Sequence, residues 1–258
     1  MTSALHRLPA VTLDDLQADA ALQTRVDRKY VVPLPTLGGL LDELDPAARV
    51  LDIGGRRTFT YRSVYFDTPA LTSYLGAARR RRQRFKVRTR TYVDDDLCWV
   101  EVKTRGPRGT TVKDRLPHEP AASATLTDPA WSFATTVLGD ERADRLDGPL
   151  RPTLVTTYDR ITLHVPADDG GPASRTTVDT GLVWTDPADG RERALPGLAV
   201  VETKTGSTPS STDRLLWRHG LRPVRLSKYG TGMAVLHPDL PATPWRRVLD
   251  RHVEPAAR

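Results

Sequence analysis

Residues 84 to 105 read RFKVRTRTYVDDDLCWVEVKTR, two extended segments on either side of the acidic turn Asp94-Asp95-Asp96. In the first segment Arg84, Lys86, Arg88 and Arg90 recur with period two, so a β-strand places them on one face and Phe85, Val87, Thr89 and Thr91 on the other. The second segment repeats the pattern, with Trp99, Glu101, Lys103 and Arg105 on one face and Cys98, Val100, Val102 and Thr104 on the other. Pairing the two strands brings like charges within cross-strand reach, which is unfavourable unless an anion lies over them. Alternating charge on a single strand is also what a solvated face gives. Recurrence weighs against solvation here. An acid-x-Lys triad returns as Val100-Glu101-Val102-Lys103-Thr104, as Val201-Glu202-Thr203-Lys204-Thr205 and, more loosely, as Val26-Asp27-Arg28-Lys29-Tyr30.

The chain has 258 residues, a net charge of +6, 27% charged and only 38% hydrophobic residues, so its apolar material is thin for its size. A fold with a polar interior accounts for that, and the positive balance points to acidic partners. Cys98 is the single cysteine, which excludes a disulfide framework and a cysteine-based zinc site. The six histidines show no HExxH spacing. With no apolar leader and no run of 18 apolar residues, the expectation is a cytoplasmic protein able to dock on a membrane partner in trans.

Along the chain, 25–33 reads as a strand stopped by Pro33 and Pro35, and Leu37, Leu40, Leu41 and Leu44 have the spacing of a helix. A strand over 58–66, a helical turn through Leu71, Tyr74 and Leu75, and the basic run Arg79 to Arg82 precede the central hairpin. A turn at 106–109 leads to a strand at 110–116, then a helix around 131–138 with another short helix before Gly148. A long strand over 151–165 follows, then strands at 175–179 and 182–185 paired across Thr180-Gly181, and a last strand at 198–204. Thr208 with Pro209 begins a helix that Gly220 ends, and Ser227 caps a second one running to Leu236. No linker splits the chain, so one domain over 1–258 with a core of about 25 to 236 is expected.

Closing these antiparallel strands into a tunnel would remove exposed edges and give the charged faces a shared lumen, with the apolar faces outward against helices. Burying so many cations costs several kcal/mol each without a partner. An extended triphosphate or polyphosphate offsets this, since arginine forks and lysine ammonium groups both bind phosphate oxygens. There is neither a P-loop nor a GxGxxG, so phosphates would be held by side chains.

The ordered set Arg28-Lys29-Tyr30, Ser63-Val64-Tyr65-Phe66-Asp67-Thr68, Lys86-x-Arg88-x-Arg90-x-Tyr92, Glu101-x-Lys103, Tyr158-x-Arg160, Arg175 near Asp179, Glu202-x-Lys204 and Ser227-Lys228-Tyr229 resembles the VTC domain (polyphosphate polymerase) family of the triphosphate tunnel metalloenzymes. The resemblance implies an α+β fold: a closed, antiparallel, eight-stranded β-tunnel with flanking and C-terminal helices, moving the γ-phosphate of ATP onto polyphosphate with release of ADP. It implies that Lys29, Arg88, Arg90, Lys103, Arg160, Arg175, Lys204 and Lys228 line the tunnel and serve catalysis. Lys86, Lys113, Tyr158 and Ser227 would bind substrate beside them, and Glu202 and Glu101 would hold Mn²⁺ or Mg²⁺. The superfamily's hydrolases carry E-x-E-x-K on the first strand, whereas here Arg25-x-Asp27-x-Lys29, Trp99-x-Glu101-x-Lys103 and Val200-x-Glu202-x-Lys204 each keep one acid. Fewer carboxylates mean fewer metals and weaker activation of water, which favours transfer over hydrolysis.

Each residue also has a plainer reading. Glu101 could pair with Lys103 or Arg88, Arg79 to Arg82 could simply be solvated, and Tyr65, Phe66, Trp184 and Trp217 read as core. A triphosphatase and a non-catalytic polyphosphate-binding module remain alternatives. Nucleic acid is not expected, because aromatics are 6% of the chain and do not interleave with the basic stripe.

Overall fold

The computed structural model describes residues 2–18, 26–106, 111–168 and 171–253. Position 25, residues 107–109 of the expected 106–109 turn and the expected strand start at 110 lie outside them. In chain order the elements are α1 (Thr2–Arg7), β1 (Ala10–Val11), α2 (Leu13–Ala18), β2 (Val26–Pro33), α3 (Leu34–Asp42), β3 (Arg49–Leu51), β4 (Phe59–Asp67), α4 (Thr72–Ala78), β5 (Phe85–Tyr92), β6 (Leu97–Arg105), β7 (Thr111–His118), α5 (Asp128–Leu138), α6 (Asp140–Ala143), β8 (Arg151–Val165), β9 (Ser174–Thr185), β10 (Glu192–Ala194), β11 (Leu198–Thr205), α7 (Ser211–Arg218), α8 (Lys228–Leu236) and α9 (Arg246–Val248). This is an α+β fold built on antiparallel strands, with one short parallel pair between β1 and β3.

The chain resolves into two compact units, and β8 and β9 contribute residues to both. The first comprises 1–59, 158–182 and 195–225. Here β11 pairs with β2 in the register Glu202 opposite Lys29, and with β9 in the register Glu202 opposite Thr177. Period-two alternation then sorts the side chains. Tyr30 and Val32, Ala199 and Val201, Val178, and Ile161 and Leu163 share one face and pack with Leu37, Leu40 and Leu41 of α3 and Leu215 and Leu216 of α7. Each such fully buried side chain contributes on the order of 2 kcal/mol. Lys29, Arg160, Arg175, Thr177, Asp179, Glu202 and Lys204 have the opposite parity.

The second unit comprises 60–157, 183–194 and 226–258. The hairpin of β5 and β6 forms as its alternation predicts, with Lys86 opposite Lys103, Arg88 opposite Glu101 and Arg90 opposite Trp99. A 3-10 turn over Val93–Asp95, with Asp96 in left-handed backbone at φ 47°, reverses the chain. Val64, Phe66, Val87 and Val102 pack on α5, whose Ala130, Ala134 and Leu138 recur every fourth residue and are buried. Helix α4 begins after Leu71, itself at φ 56° and without a side-chain cap. Asp67 at the end of β4 does the capping, accepting the Ser73 and Tyr74 amides at 2.8 Å each and the Tyr229 hydroxyl at 2.6 Å. Among the described residues β2 has a ladder only with β11 and β7 only with β6.

Two sequence expectations need correction. The segments 175–179 and 182–185 are not a hairpin but one strand, β9, in which Gly181 takes φ +62° and kinks the chain without reversing it. Reversal comes at Asp186 to Gly190, after which β10 pairs back on Val183 to Thr185. Helix α7 starts not at Thr208 but at Ser210, because Ser210 and Asp213 form a reciprocal capping box that Thr208 cannot make. The cap at Ser227 forms as expected, its Oγ accepting the Gly230 amide at 3.0 Å.

Candidate functional site: buried carboxylates ringed by cations

In the first unit the acid-x-Lys spacing on β11 puts Glu202 and Lys204 on the same face, with Lys29 directly across on β2. Lys204 Nζ lies 2.5 Å and Lys29 Nζ 3.6 Å from Glu202 Oε1. Glu202 Oε2 makes no hydrogen bond or ion pair among the described residues, although the residue is only 9% exposed. Burial pushes the Glu202 carboxyl up, but Lys204, Lys29 and Arg160 outweigh it and hold the group well below its ordinary range. Burial also acts on Lys204, and despite Glu202 and Asp27 it draws the ammonium from 10.5 down to about 8. Arg160 grips Asp179 with both arms, Nε to Oδ1 at 2.6 Å and Nη2 to Oδ2 at 2.8 Å, and its guanidinium stands over the Tyr158 ring. Arg175 lies opposite Lys204 in the β9–β11 register. Thr177, opposite Glu202, carries a buried hydroxyl with no hydrogen-bond partner among the described residues.

In the second unit the equivalent carboxylate is Glu101, 1% exposed. Arg88 donates to its Oε2 through Nε at 2.7 Å and Nη2 at 2.5 Å, Lys113 binds Oε1, and Arg90 Nε stands 4.0 Å from Oε2. Burial raises this carboxyl and the three cations reverse the effect, leaving it well below its ordinary range. Lys113 is lowered by burial and by Arg88 and Arg90, against the pull of Glu101. Arg88 also donates to the Tyr65 hydroxyl at 3.0 Å and lies over that ring, and Arg90 lies over Tyr61. Lys86, Lys103 and Lys113 form a cross-strand row, and Lys86 Nζ donates to Ser227 Oγ at 2.9 Å beside Lys228, the first residue of α8.

The sequence-predicted residues thus fall into two sets. Lys29, Tyr158, Arg160, Arg175, Glu202 and Lys204 occupy the first unit, and Lys86, Arg88, Arg90, Glu101, Lys103, Lys113, Ser227 and Lys228 the second. Arg88 and Arg90 are 9% and 8% exposed, so their strand face is not a solvated one. Glu101 pairs with Arg88 and Arg90, and its lysine partner is Lys113 rather than Lys103. Sequence reading gave no site role to Asp179, Thr177 or the phenol of Tyr65. Strand parity carried a signal for each, since Thr177 and Asp179 share parity with Arg175, and Tyr65 with Ser63.

Among the described residues no group of three or more His, Cys, Asp or Glu side chains is placed to hold a metal ion. The two carboxylates differ in what they still offer. Both Glu101 oxygens are taken by cations, whereas Glu202 keeps Oε2 for a further positive charge.

A model of the VTC domain matches residues 24–237. No curated protein matches the chain. Among solved structures, a candidate adenylate cyclase from Bacillus halodurans aligns at 15% identity and a TM-score of 0.48, over 80% of this chain and 94% of that one. A candidate adenylyl cyclase from Hippeastrum with a dominant triphosphatase activity aligns at 15% identity and a TM-score of 0.46, over 82% of this chain and 96% of the other.

Proposed function

This chain belongs to the VTC domain family, and from that premise we propose that it is a polyphosphate polymerase, transferring the γ-phosphate of ATP to a growing inorganic polyphosphate chain and releasing ADP. One observation carries the reading. In each unit a buried glutamate stands against two or more cations, and a polyanion lying over such a cluster would be drawn to it. Arg88 and Arg160, gripped by Glu101 and Asp179, and Arg90 beside Glu101 are the phosphate-positioning groups in this proposal, and Lys29, Lys103, Lys204, Arg175 and Lys228 supply charge that moves with the substrate. Lys86, Lys113, Tyr158 and Ser227 orient them. The closed eight-stranded tunnel expected from sequence is part of the same proposal.

No protein nucleophile is needed. An incoming phosphate oxygen attacks the γ-phosphorus in line, the bond to the ADP oxygen breaks, and fixed cations neutralise the charge that develops on both sides. Glu202, ionised and with Oε2 available, fits a single divalent ion whose other ligands are phosphate oxygens. Bound there, Mn²⁺ or Mg²⁺ would add Lewis-acid stabilisation of the transferring group. Lone acids among so many cations activate water poorly, which favours transfer over hydrolysis. A cytoplasmic location, with a membrane partner in trans, completes the proposal; among the described residues no helix is long and apolar enough to cross a membrane.

Incubation with γ-labelled ATP and Mn²⁺ or Mg²⁺, resolved on a gel, tests it. The wild type should place label in polymer, and Lys103→Ala and Glu202→Ala should lose that product. Label recovered only as inorganic phosphate would establish the triphosphatase instead, and metal-independent binding of polyphosphate without turnover would establish a binding module.

A further inference from the structure

A second concentration of positive charge lies in the second unit, in a cleft of about 660 Å³ between α4, the loop that follows it, and the segment 142–147 after α5. Phe85, on its wall, has the parity of Val87 and so faces away from Arg88 and Glu101. The cleft is therefore on the helix-covered side of β5, and Arg84, which precedes the strand, turns into it although it shares the parity of Arg88.

Its chemistry is lopsided. Arg79, Arg81, Arg82, Arg84 and Arg145 line it, and the single carboxylate in the lining, Asp147, is committed elsewhere. Asp147 Oδ1 accepts the Thr72 hydroxyl at 2.8 Å and Oδ2 the Ala70 amide at 3.0 Å. No carboxylate among the described residues pairs with Arg79, Arg81, Arg82 or Arg145. Arg84 is held below its ordinary range by burial and by nearby Arg105.

The loop is built to keep the charges together. Helix α4 ends in a turn where Arg81 N bonds to Gly76 O at 2.8 Å, and Arg80 takes the left-handed φ of 54° that glycine normally fills. That strained turn brings Arg79, Arg81 and Arg82 to one cleft. Beneath the guanidinium rim lie Leu75, Gly76 and Phe85, and the buried Gln83 Oε1 acceptor has no hydrogen-bond partner among the described residues.

We propose that this cleft binds a small organic polyphosphate: a body that covers the apolar floor, a donor for Gln83, and two or more phosphate charges for the arginine rim. Its volume is within the range of small-ligand pockets, and a rim of guanidinium groups with no carboxylate partner among the described residues is suited to phosphate. The inference does not rest on the polymerase reading, because none of its residues belongs to the proposed catalytic set.

Fluorescently labelled ADP is the probe, titrated into the full chain and into a Lys204→Gln background that removes a cation from the other site. Arg81→Ala combined with Arg145→Ala should weaken binding at least tenfold in both backgrounds. Gly76→Leu should do the same by filling the cleft, since a Cβ there meets only Arg84, its Cβ at 3.6 Å and its Cα at 3.8 Å, both ordinary contacts. Tripolyphosphate, which lacks an organic body, should displace the probe at least tenfold less well than unlabelled ADP. Unchanged binding in both folded variants overturns the proposal. So does equal displacement by tripolyphosphate, or binding confined to vesicles containing anionic lipid, which would make the cleft a membrane-facing patch.

Discussion

If Lys204 meets phosphate, triphosphate binding must take up a proton, and the size of that uptake follows from its surroundings. The side chain is 12% exposed, and its ammonium titrates at about 8 rather than 10.5. A polyanion alongside it favours the charged form and returns the group toward its ordinary value. The complex then holds more protons than the free protein between those two values, so affinity falls as pH rises through the window and is level below it. Full restoration corresponds to about 3 kcal/mol, a few hundredfold in affinity across the window. At pH 9 the free ammonium is about one-tenth protonated and the restored one almost wholly so, giving an uptake of about 0.9 proton per triphosphate. Calorimetric titration with tripolyphosphate at pH 9, in two buffers of different ionisation enthalpy, counts those protons. Lys204→Gln cancels the ligand's own titration when subtracted. Equal proton counts in wild type and variant would refute the placement of Lys204 against phosphate.

Other outcomes follow from the same geometry. Glu202→Gln should lower polymer formation at least a hundredfold and weaken its dependence on added Mn²⁺, while Glu101→Gln should unfold more easily by several kcal/mol, because Arg88, Arg90 and Lys113 lose their common counter-charge; titration with metal and with urea separates the two. Gly232→Ala should cost at least about 2 kcal/mol and alter tryptophan fluorescence, since its Cβ would sit 2.2 Å from Trp184 Cδ1. Tyr30→Phe should cost about 1 to 2 kcal/mol in urea denaturation and leave triphosphate affinity within twofold, because the phenol bonds Asp213 and Trp217 on the apolar side of the sheet.

Much of this architecture is legible in the chain because period two is a strong constraint. Once 84–105 is taken as a hairpin, one choice of parity assigns Arg88, Arg90, Glu101 and Lys103 to a face and Val87 and Val102 to the helices, and the register agrees. What stayed hidden depended on contacts far along the chain. Lys113 rather than Lys103 meets Glu101 because β7 pairs with β6 in a register that no local pattern encodes. Gly181 reads as a turn residue, yet partners on both sides of it keep β9 continuous. Tyr65 reads as core and is buried, but its hydroxyl also braces an arginine across the ladder.

Asp213 is where the start of a helix and the grip on a strand coincide. The carboxylate that caps α7 through Ser210 also receives the hydroxyls of Tyr30 and Thr203, and Arg28 stands 3.6 Å away. Lys29 is consequently flanked by two anchored neighbours, and its peptide has no slack with which to answer a ligand. If phosphate passes Lys29 as proposed, the adjustment it requires falls to rotation about the lysine's own methylene stem rather than to the sheet beneath.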